Sequence, residues 1–179
     1  RMGCSQSGFG TGAARIRVAT GITPEHNFHG EFRLRDMLGA GNFGVVYSAT
    51  KADDDGAAVA VKVVDMRQAW VRGASFDSDS DADVDDARLS RVSGEVQAML
   101  TVGECDRVRR LIGLYLDKGL AYIVLEHCDV TLYKALDQLP AINEKAMRPF
   151  FRAMLEGLSA VHAKSIVHCD IKPANFLCS

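Results

Sequence analysis

The chain contains 179 residues, of which 47% are hydrophobic and 25% charged, and its formal net charge at pH 7 is −2. This size and composition are typical of one soluble globular domain or of part of a larger one, and the near-neutral charge argues against direct binding of nucleic acid. The longest uninterrupted apolar run, residues 120–125, is too short to span a membrane, and the five scattered cysteines are typical of free thiols in a reducing, intracellular compartment, the nucleus or the cytoplasm.

The first 31 residues are rich in glycine and lack periodic apolar residues, so we predict a flexible N-terminal tail over residues 1–31. Within this tail, the stretch MGCSQS matches the pattern for N-myristoylation and places Cys4 for a second acyl chain. Two acyl chains would anchor a protein stably at a membrane. Myristoylation requires Gly3 at the free N-terminus, whereas an arginine precedes the methionine of this stretch. We therefore expect membrane attachment only if Gly3 and Cys4 are acylated.

Three β-strands are predicted in the first half of the chain. The first begins at EFRLRDML, where Phe32, Leu34 and Leu38 fall on one side of an alternating strand. The glycine-rich turn GAGNFG leads into a second strand, VVYSAT. The turn DDDG then leads into a third strand, AAVAVKVV, which is rich in β-branched residues.

An acidic insert follows the third strand, at residues 73–87. Its run of Asp and Ser cannot bury apolar surface, so we expect a solvated, disordered loop. Beyond the insert, Leu89, Val92, Val96 and Met99 recur at helical spacing, which predicts a helix with one inward-facing side.

The rest of the chain predicts a hairpin followed by helices. The strands LIGLYL and LAYIVL are joined by the turn DKG, and a short helix lies near TLYKAL. A longer helix has Asn143 as its cap and Phe151, Leu155 and Leu158 on one face. The predicted fold class is therefore α+β, with a small sheet carrying one helix and a mainly helical second part.

The stretch GAGNFGVV places Gly39, Gly41 and Gly44 in the pattern G-x-G-x-x-G-x-V. The dinucleotide-binding fingerprint has the same glycine spacing, but there the glycines open a helix, whereas strand-like residues flank them here. A glycine turn between strands lets the backbone approach phosphate groups without Cβ clashes. An ordinary flexible hairpin is the alternative.

The third strand contains the stretch VAVK, which places Ala60 and Lys62 on the same face of the sheet. The small Ala60 side chain leaves room for the base of a nucleotide, and the ammonium group of Lys62 can bind its phosphates. Glu95 lies on the inward-facing side of the predicted helix, where an acid requires a cation. We therefore predict an ion pair between Lys62 and Glu95.

The stretch HCDIKPAN carries three polar residues at a spacing that suits phosphoryl transfer. Asp170 can accept the proton of a substrate hydroxyl, Lys172 can neutralise charge on a γ-phosphate, and Asn175 can hold a metal ion. We expect His168 to be a packed, hydrogen-bonded core residue rather than a base.

These motifs occur in one order and together resemble the eukaryotic protein kinase family over residues 32–179. The resemblance implies a bilobal fold, with a complete small lobe at residues 32–127 and the first part of the helical lobe at residues 128–179. It implies that ATP and Mg²⁺ bind in the cleft, that the backbone around Glu126 and Cys128 holds the adenine, and that the residue before Glu126, Leu125, is the gatekeeper.

The site residues implied by the resemblance form two sets. The ATP-binding set is Gly39, Ala40, Gly41, Asn42, Phe43, Gly44, Val46, Ala60, Lys62, Glu95, Glu126 and Cys128. The catalytic set is Asp170, Lys172 and Asn175, of which Asn175 is also a metal ligand.

Lys172 stands where kinases of the serine/threonine branch carry a lysine, so the resemblance implies protein substrates phosphorylated on Ser and Thr. The stretches GEVQAMLTVGECDRV, VLEHC and SIVHCDIKPANFL are similar to those of the replication-initiating kinases of the cell-division-cycle-seven type, although casein-kinase-one relatives share the NFL ending. That group implies a role in cell-cycle or DNA-replication control and an activating regulatory subunit of the Dbf type.

Besides the acidic insert between Lys62 and the helix of Glu95, the sequence departs from the kinase pattern in two places. Cys169 replaces the Arg of His-Arg-Asp, and a thiol cannot make the bidentate contact through which that Arg pairs with a phosphorylated activation loop. No Asp-Phe-Gly motif follows Asn175, so we expect the sequence as it stands to be an inactive part of a longer kinase. The alternative is a pseudokinase or truncated kinase fragment that acts only as a binding module.

Overall fold

The computed structural model describes residues 12–42, 44–54, 56–67 and 84–178. The predictions for MGCSQS with Gly3 and Cys4, for Phe43 and for most of the acidic insert lie outside these residues. In chain order the elements are α1 (Gly12–Thr20), α2 (Phe28–Glu31), β1 (Phe32–Gly41), β2 (Gly44–Lys51), β3 (Ala58–Asp65), α3 (Asp86–Val102), β4 (Leu111–Asp117), β5 (Leu120–Glu126), β6 (Val130–Thr131), α4 (Leu132–Asp137), α5 (Glu144–Ala163), a 3₁₀ turn (Pro173–Asn175) and β7 (Leu177–Cys178).

Five strands form one antiparallel sheet in the order β1-β2-β3-β5-β4, and β6 pairs with β7 in a separate two-stranded ladder. The predicted turn DKG joins β4 to β5 with positive φ angles at both central residues, 48° at Lys118 and 75° at Gly119. Such a turn matches the right-handed twist of the strands that it connects. The five-stranded sheet with its helices confirms the predicted α+β fold of a small kinase lobe followed by the start of a helical lobe.

The alternation of β1 is broken, which corrects one expectation. Phe32 is buried as predicted, but Leu38 is 50% exposed, and so is its neighbour Met37 at 63%. The pairing of β1 with β2 shifts register on both sides of Met37. Since a shift of one residue turns a side chain to the other face of a strand, the alternation that begins at Phe32 does not continue to Leu38.

Two buried clusters cover the two faces of the sheet. Ala60 of β3 belongs to the first cluster, with Leu89, Val92 and Val96 of α3. Its neighbours along the strand, Val59 and Val61, point to the opposite face and belong to the second cluster, half of whose members are aromatic. The members of the second cluster are Phe28, Phe32, Ala49, Val59, Val61, Tyr115, Tyr122 and Val124.

The prediction of a flexible tail over residues 1–31 is wrong for residues 12–31. Ile16 in α1 and Phe28 in α2 are both 0% exposed and contribute to the two clusters. The acidic insert also ends earlier than predicted. Val84 is 9% exposed and bridges to Arg67, and α3 begins at Asp86. Non-local burial of single apolar residues accounts for both differences, because isolated apolar residues produce no periodic signal.

Helix α5 begins at its predicted cap, where Asn143 Oδ1 accepts a hydrogen bond of 3.0 Å from the Ala146 amide. Its predicted apolar face is largely open, since Phe151 is 54% and Leu155 65% exposed. Over the described ranges, no helix combines the length and the apolar character needed to cross a membrane.

Candidate active site

The glycine-rich stretch is the tip of the β1–β2 hairpin, where Gly41 pairs with Gly44. Gly44 has a φ of +124°, and a Cβ there would lie 2.3 Å from the carbonyl oxygen of Val63, so no other residue fits. At Gly39 and Gly41, by contrast, an added Cβ would meet no other atom within 4 Å. The fold therefore does not require glycine at these two positions. The space beside their backbone is open, and a phosphate group could lie there.

One row of paired residues runs across the sheet from the glycine hairpin to β3. Gly39 is the partner of Val46, and Val46 is the partner of Lys62. Two strand spacings, about 10 Å, therefore separate the backbone of Gly39 from that of Lys62. In the next row Ala60 pairs with Leu125, and both side chains are buried. Antiparallel pairing thus places the predicted phosphate-binding and base-binding residues of three strands side by side.

Lys62 and Glu95 form the predicted ion pair. The Nζ atom of Lys62 lies 2.6 Å from Oε2 and 2.7 Å from Oε1 of Glu95. The two side chains are 17% and 29% exposed, so the contact is shielded from water more than a surface pair would be. Glu95 reaches the sheet because it lies one residue before the buried Val96 on the inward-facing side of α3. The pair joins a strand and a helix that are distant in the chain.

The segment from Glu126 to Cys128 connects the sheet to the helical part of the chain. Arg109 donates two hydrogen bonds to the carbonyl oxygen of Glu126, from Nε at 3.0 Å and from Nη2 at 2.6 Å. Burial lowers the pKa of the Arg109 guanidinium. The sequence did not indicate this contact, because Arg107, Arg109 and Arg110 precede β4 with no periodicity to distinguish them.

Cys128 lies in the same connection, and burial raises the pKa of its thiol. Two residues further on, Val130 in β6 pairs with Cys178 in β7, and Thr131 pairs with Leu177. This short ladder fixes the connecting segment beside the end of the loop that carries the catalytic set. It is the structural link between the predicted adenine contacts and the predicted catalytic residues.

The three residues of the catalytic set contact one another in the loop after α5. The Nζ atom of Lys172 lies 2.9 Å from Oδ2 of Asp170. The side-chain amide of Asn175 donates to the same Oδ2 at 2.9 Å and to the Asp170 carbonyl oxygen at 2.7 Å. Hydrogen bonds from Lys172 and then Asn175 are the main causes that hold the pKa of Asp170 below its ordinary value of 3.8. Asp170 is therefore a carboxylate at neutral pH.

Two neighbours of Asp170 are notable. His168 accepts a hydrogen bond of 3.3 Å at Nδ1 from the Asp170 amide, but it is exposed, so the expectation of a packed core histidine is wrong in that respect. Cys169 has a φ of 61°, in the left-handed region that few residues other than glycine adopt. His168 therefore lies at the surface of the loop rather than in a core.

The arrangement fits a nucleotide and a divalent cation. Asn175 uses its Nδ2 for Asp170, which leaves its Oδ1, an oxygen ligand of the kind that Mg²⁺ prefers, as its acceptor atom. Among the site residues of the described chain, the structure forms two contacting groups, Lys62 with Glu95 and Asp170 with Lys172 and Asn175. Phe43 is the only predicted site residue outside the described ranges.

Comparison with known proteins defines the class of this chain. The family model described as protein kinase domain matches residues 32–179. The chain therefore belongs to the protein kinase family, in agreement with its sequence motifs and its small-lobe sheet.

Several serine/threonine kinases are similar to the chain over most of its length. The serine/threonine-protein kinase KIC1 of Saccharomyces cerevisiae is 31% identical over 82% of this chain and 12% of its own length. Calcium-dependent protein kinase 9 of Oryza sativa subsp. japonica is 30% identical over 94% of this chain and 27% of its own length. Aurora kinase of Yarrowia lipolytica is 31% identical over 88% of this chain and 39% of its own length. The chain thus spans well under half the length of each of these relatives.

Proposed function

We propose that this protein is an ATP- and Mg²⁺-dependent protein serine/threonine kinase that transfers the γ-phosphate of ATP to Ser and Thr hydroxyls of protein substrates. The observation that carries the proposal is the Asp170 cluster, in which one carboxylate contacts both Lys172 and Asn175 within 2.9 Å. A module that only binds nucleotide has no need of a carboxylate held ionised beside a lysine and an amide. Membership of the protein kinase family supports the same reading.

Each residue of the site has a role in this proposal. The open backbone at Gly39 and Gly41 admits the phosphates, and Lys62, held by Glu95, binds their oxygens. Ala60 leaves room for adenine beside the backbone of Glu126 and Cys128. Asn175 would hold Mg²⁺, which neutralises negative charge on the phosphate oxygens.

The chemical step follows from the position of Asp170. Its carboxylate orients the substrate hydroxyl and accepts the proton as the new bond forms between the hydroxyl oxygen and the γ-phosphorus. The bond from that phosphorus to the bridging oxygen of ADP breaks, and ADP leaves with the electron pair. Lys172, 2.9 Å from Asp170, neutralises charge on the transferred group.

More specific assignments are also part of the proposal. The short stretches similar to kinases of the cell-division-cycle-seven type support a role in cell-cycle or DNA-replication control, with an activating regulatory subunit and a location in the nucleus or the cytoplasm. Membrane association would require acylation of Gly3 and Cys4.

A binding module without transfer is the second candidate, and Arg109 favours it. Its two hydrogen bonds engage the Glu126 carbonyl oxygen, an acceptor that an adenine amino group would otherwise use. This contact would weaken nucleotide binding and leave the chain with a purely structural or scaffolding use of the fold.

The deciding experiment measures nucleotide binding and phosphoryl transfer separately. Because the sequence as it stands lacks an Asp-Phe-Gly motif after Asn175, the assay uses the longer protein that contains it. We expect that protein to bind MgATP and to label Ser and Thr peptides, but not Tyr peptides, from γ-labelled ATP. Asp170→Asn should lower kcat by at least about 10²-fold, the usual contribution of a general base, with little change in nucleotide Kd. Lys62→Met should weaken nucleotide binding, whereas Lys51→Met, at the exposed end of β2, should not. Absence of transfer, with weak or no nucleotide binding, would refute the kinase and favour the binding module.

A further inference from the structure

The N-terminal helix α1 packs against α3, the helix that carries Glu95. Ile16 supplies the large buried side chain of this contact. It is 0% exposed and belongs to the same cluster as Leu89, Val92 and Val96 of α3. Because α3 also packs on the sheet through this cluster, α1 and the sheet hold α3 through shared apolar contacts.

A polar contact sets the register of the two helices. The Nη1 atom of Arg15 lies 2.6 Å from Oδ1 of Asp86, in the first turn of α3. The Arg15 and Asp86 side chains are 36% and 76% exposed, so this ion pair adds little to stability. We therefore attribute the strength of the interface to Ile16 and its alignment to Arg15.

The segment after α1 is fixed to the sheet, so α1 is not free to drift. The Glu25 amide donates to the Leu114 carbonyl at 2.8 Å, and the Leu116 amide donates to the Glu25 carbonyl at 2.9 Å. Three residues later, Phe28 stacks on Tyr122 with ring centroids 4.1 Å apart. These contacts cover the edge strand β4 and join α1 to the sheet that carries Lys62.

We infer that Ile16 is a positioning residue: through α3, the α1 helix holds Glu95 against Lys62. The argument is geometric. Lys62 lies on the sheet and Glu95 on α3, so the 2.6 Å contact between them depends on the placement of α3 relative to the sheet. The segment of residues 12–31 bridges these two bodies. Its importance for nucleotide binding rests on the proposed function, but its effect on the ion pair does not.

The test compares Ile16→Ala with Val124→Ala in the full chain. Both changes reduce a fully buried side chain, but Val124 lies on β5 in the second cluster, outside the N-terminal segment and on the face of the sheet opposite α3. The readout is the rate at which an N-hydroxysuccinimide ester acylates Lys62, measured by peptide mass spectrometry. The reaction is run without denaturant, at a temperature where both variants are folded. Exposed Lys51 in the same digest serves as the internal reference.

We expect Ile16→Ala to accelerate acylation of Lys62, relative to Lys51, by about 5-fold or more, the lower end of typical coupling between sites. Val124→Ala should leave the ratio near that of the wild type. Equal ratios in all three proteins, or equal increases in both variants, would overturn the inference.

A second variant keeps the test informative if Ile16→Ala does not fold. Arg15→Gln removes the surface ion pair but keeps Ile16, so it should fold and shift the acylation ratio in the same direction by a smaller amount. Ile16→Val, which removes a single methylene group at the same buried position, is a further mild variant. If Arg15→Gln and Ile16→Val both leave the acylation ratio unchanged, the inference fails.

The same assay separates the inference from the proposed function. Protection of wild-type Lys62 by MgATP tests nucleotide binding, whereas the comparison of variants is made without nucleotide. Loss of protection with an intact difference between variants would refute the nucleotide site alone. Protection in all proteins without a difference between variants would refute the positioning role alone.

Discussion

The carboxylate of Asp170 shows how single side chains define this site. It is about half exposed, and its hydrogen bonds to Lys172 and Asn175 lower its pKa. Because its pKa in the folded chain lies below the ordinary value of 3.8, its contribution to folding is present above that value and is lost as the pH falls through the folded pKa. At neutral pH the group remains an acceptor, as a proposed general base requires.

Replacing the lysine of this cluster should move the titration of Asp170. In Lys172→Met, the pKa of Asp170 should rise toward 3.8, since the largest cause of its lowering is removed. Carboxyl-carbon NMR across pH 2–6 would measure it. Lys164→Met, which changes a lysine at the end of α5, is the matched control and should leave the Asp170 titration unchanged. An unchanged curve in Lys172→Met would contradict the assigned cause.

The three glycines of the hairpin should respond differently to alanine. Gly44→Ala places a Cβ against the Val63 carbonyl at a φ of +124°, so it should lower the free energy of unfolding by at least about 1–3 kcal/mol. Gly39→Ala and Gly41→Ala meet open space and should change it by no more than about 0.5 kcal/mol, while weakening MgATP binding if phosphates lie there. Urea unfolding and nucleotide titration would test both statements. Equal destabilisation by all three changes would be inconsistent with the geometry.

At the scale of elements, the sequence predicted the parts of the fold that have a repeating pattern. Strand β3 alternates between the two clusters, and α3 repeats its apolar residues at helical spacing, so both elements and the Lys62–Glu95 contact were predictable. Helix α1 has Ile16 as its only large buried side chain, which gives no period to detect. Its position depends on α3, which lies far along the chain, and the contact of Arg109 with Glu126 is likewise non-local.

The start of α3 provides a test of element stability. Asp85 caps this helix, accepting at Oδ1 from the Ala87 amide at 2.8 Å and from the Arg88 amide at 3.1 Å. Asp85→Ala should reduce the free energy of unfolding by about 1 kcal/mol, the usual value of a lost N-cap. Asp85→Asn retains a side-chain oxygen and should cost only a fraction of that. Thermal or urea unfolding that ranks the two variants equally would show that the cap does not stabilise α3.

At the scale of the whole molecule, the loop before β4 joins the sheet to α5. Arg107 contacts Glu156 of α5 at 3.1 Å, and Gly157 lies where a Cβ would come 3.1 Å from the Arg107 carbonyl. This close approach buries Gly157 and leaves the opposite side of α5, with Leu155 65% exposed, open to solvent. The two sides of α5 therefore contribute very differently to stability.

Paired substitutions on α5 should reveal this asymmetry. Val161→Ala removes buried methyl groups and should lower the free energy of unfolding by about 1.5 kcal/mol. Leu155→Gln, on the exposed side, should change it by no more than about 0.5 kcal/mol. Urea denaturation followed by circular dichroism would measure both. A large loss of stability in Leu155→Gln would mean that this side is covered in solution.

The bridge between Arg67 and Val84 closes the base of the acidic insert, because the Asp85 amide also donates to the Met66 carbonyl at 2.8 Å. If the chain were cut between Arg67 and Val84, the two new ends would therefore remain close together in space. One half would carry Lys62 and the other Glu95, and the β3–β5 ladder would hold the halves together. Expressed separately, the two halves should reassociate through this ladder and bring Lys62 and Glu95 together again.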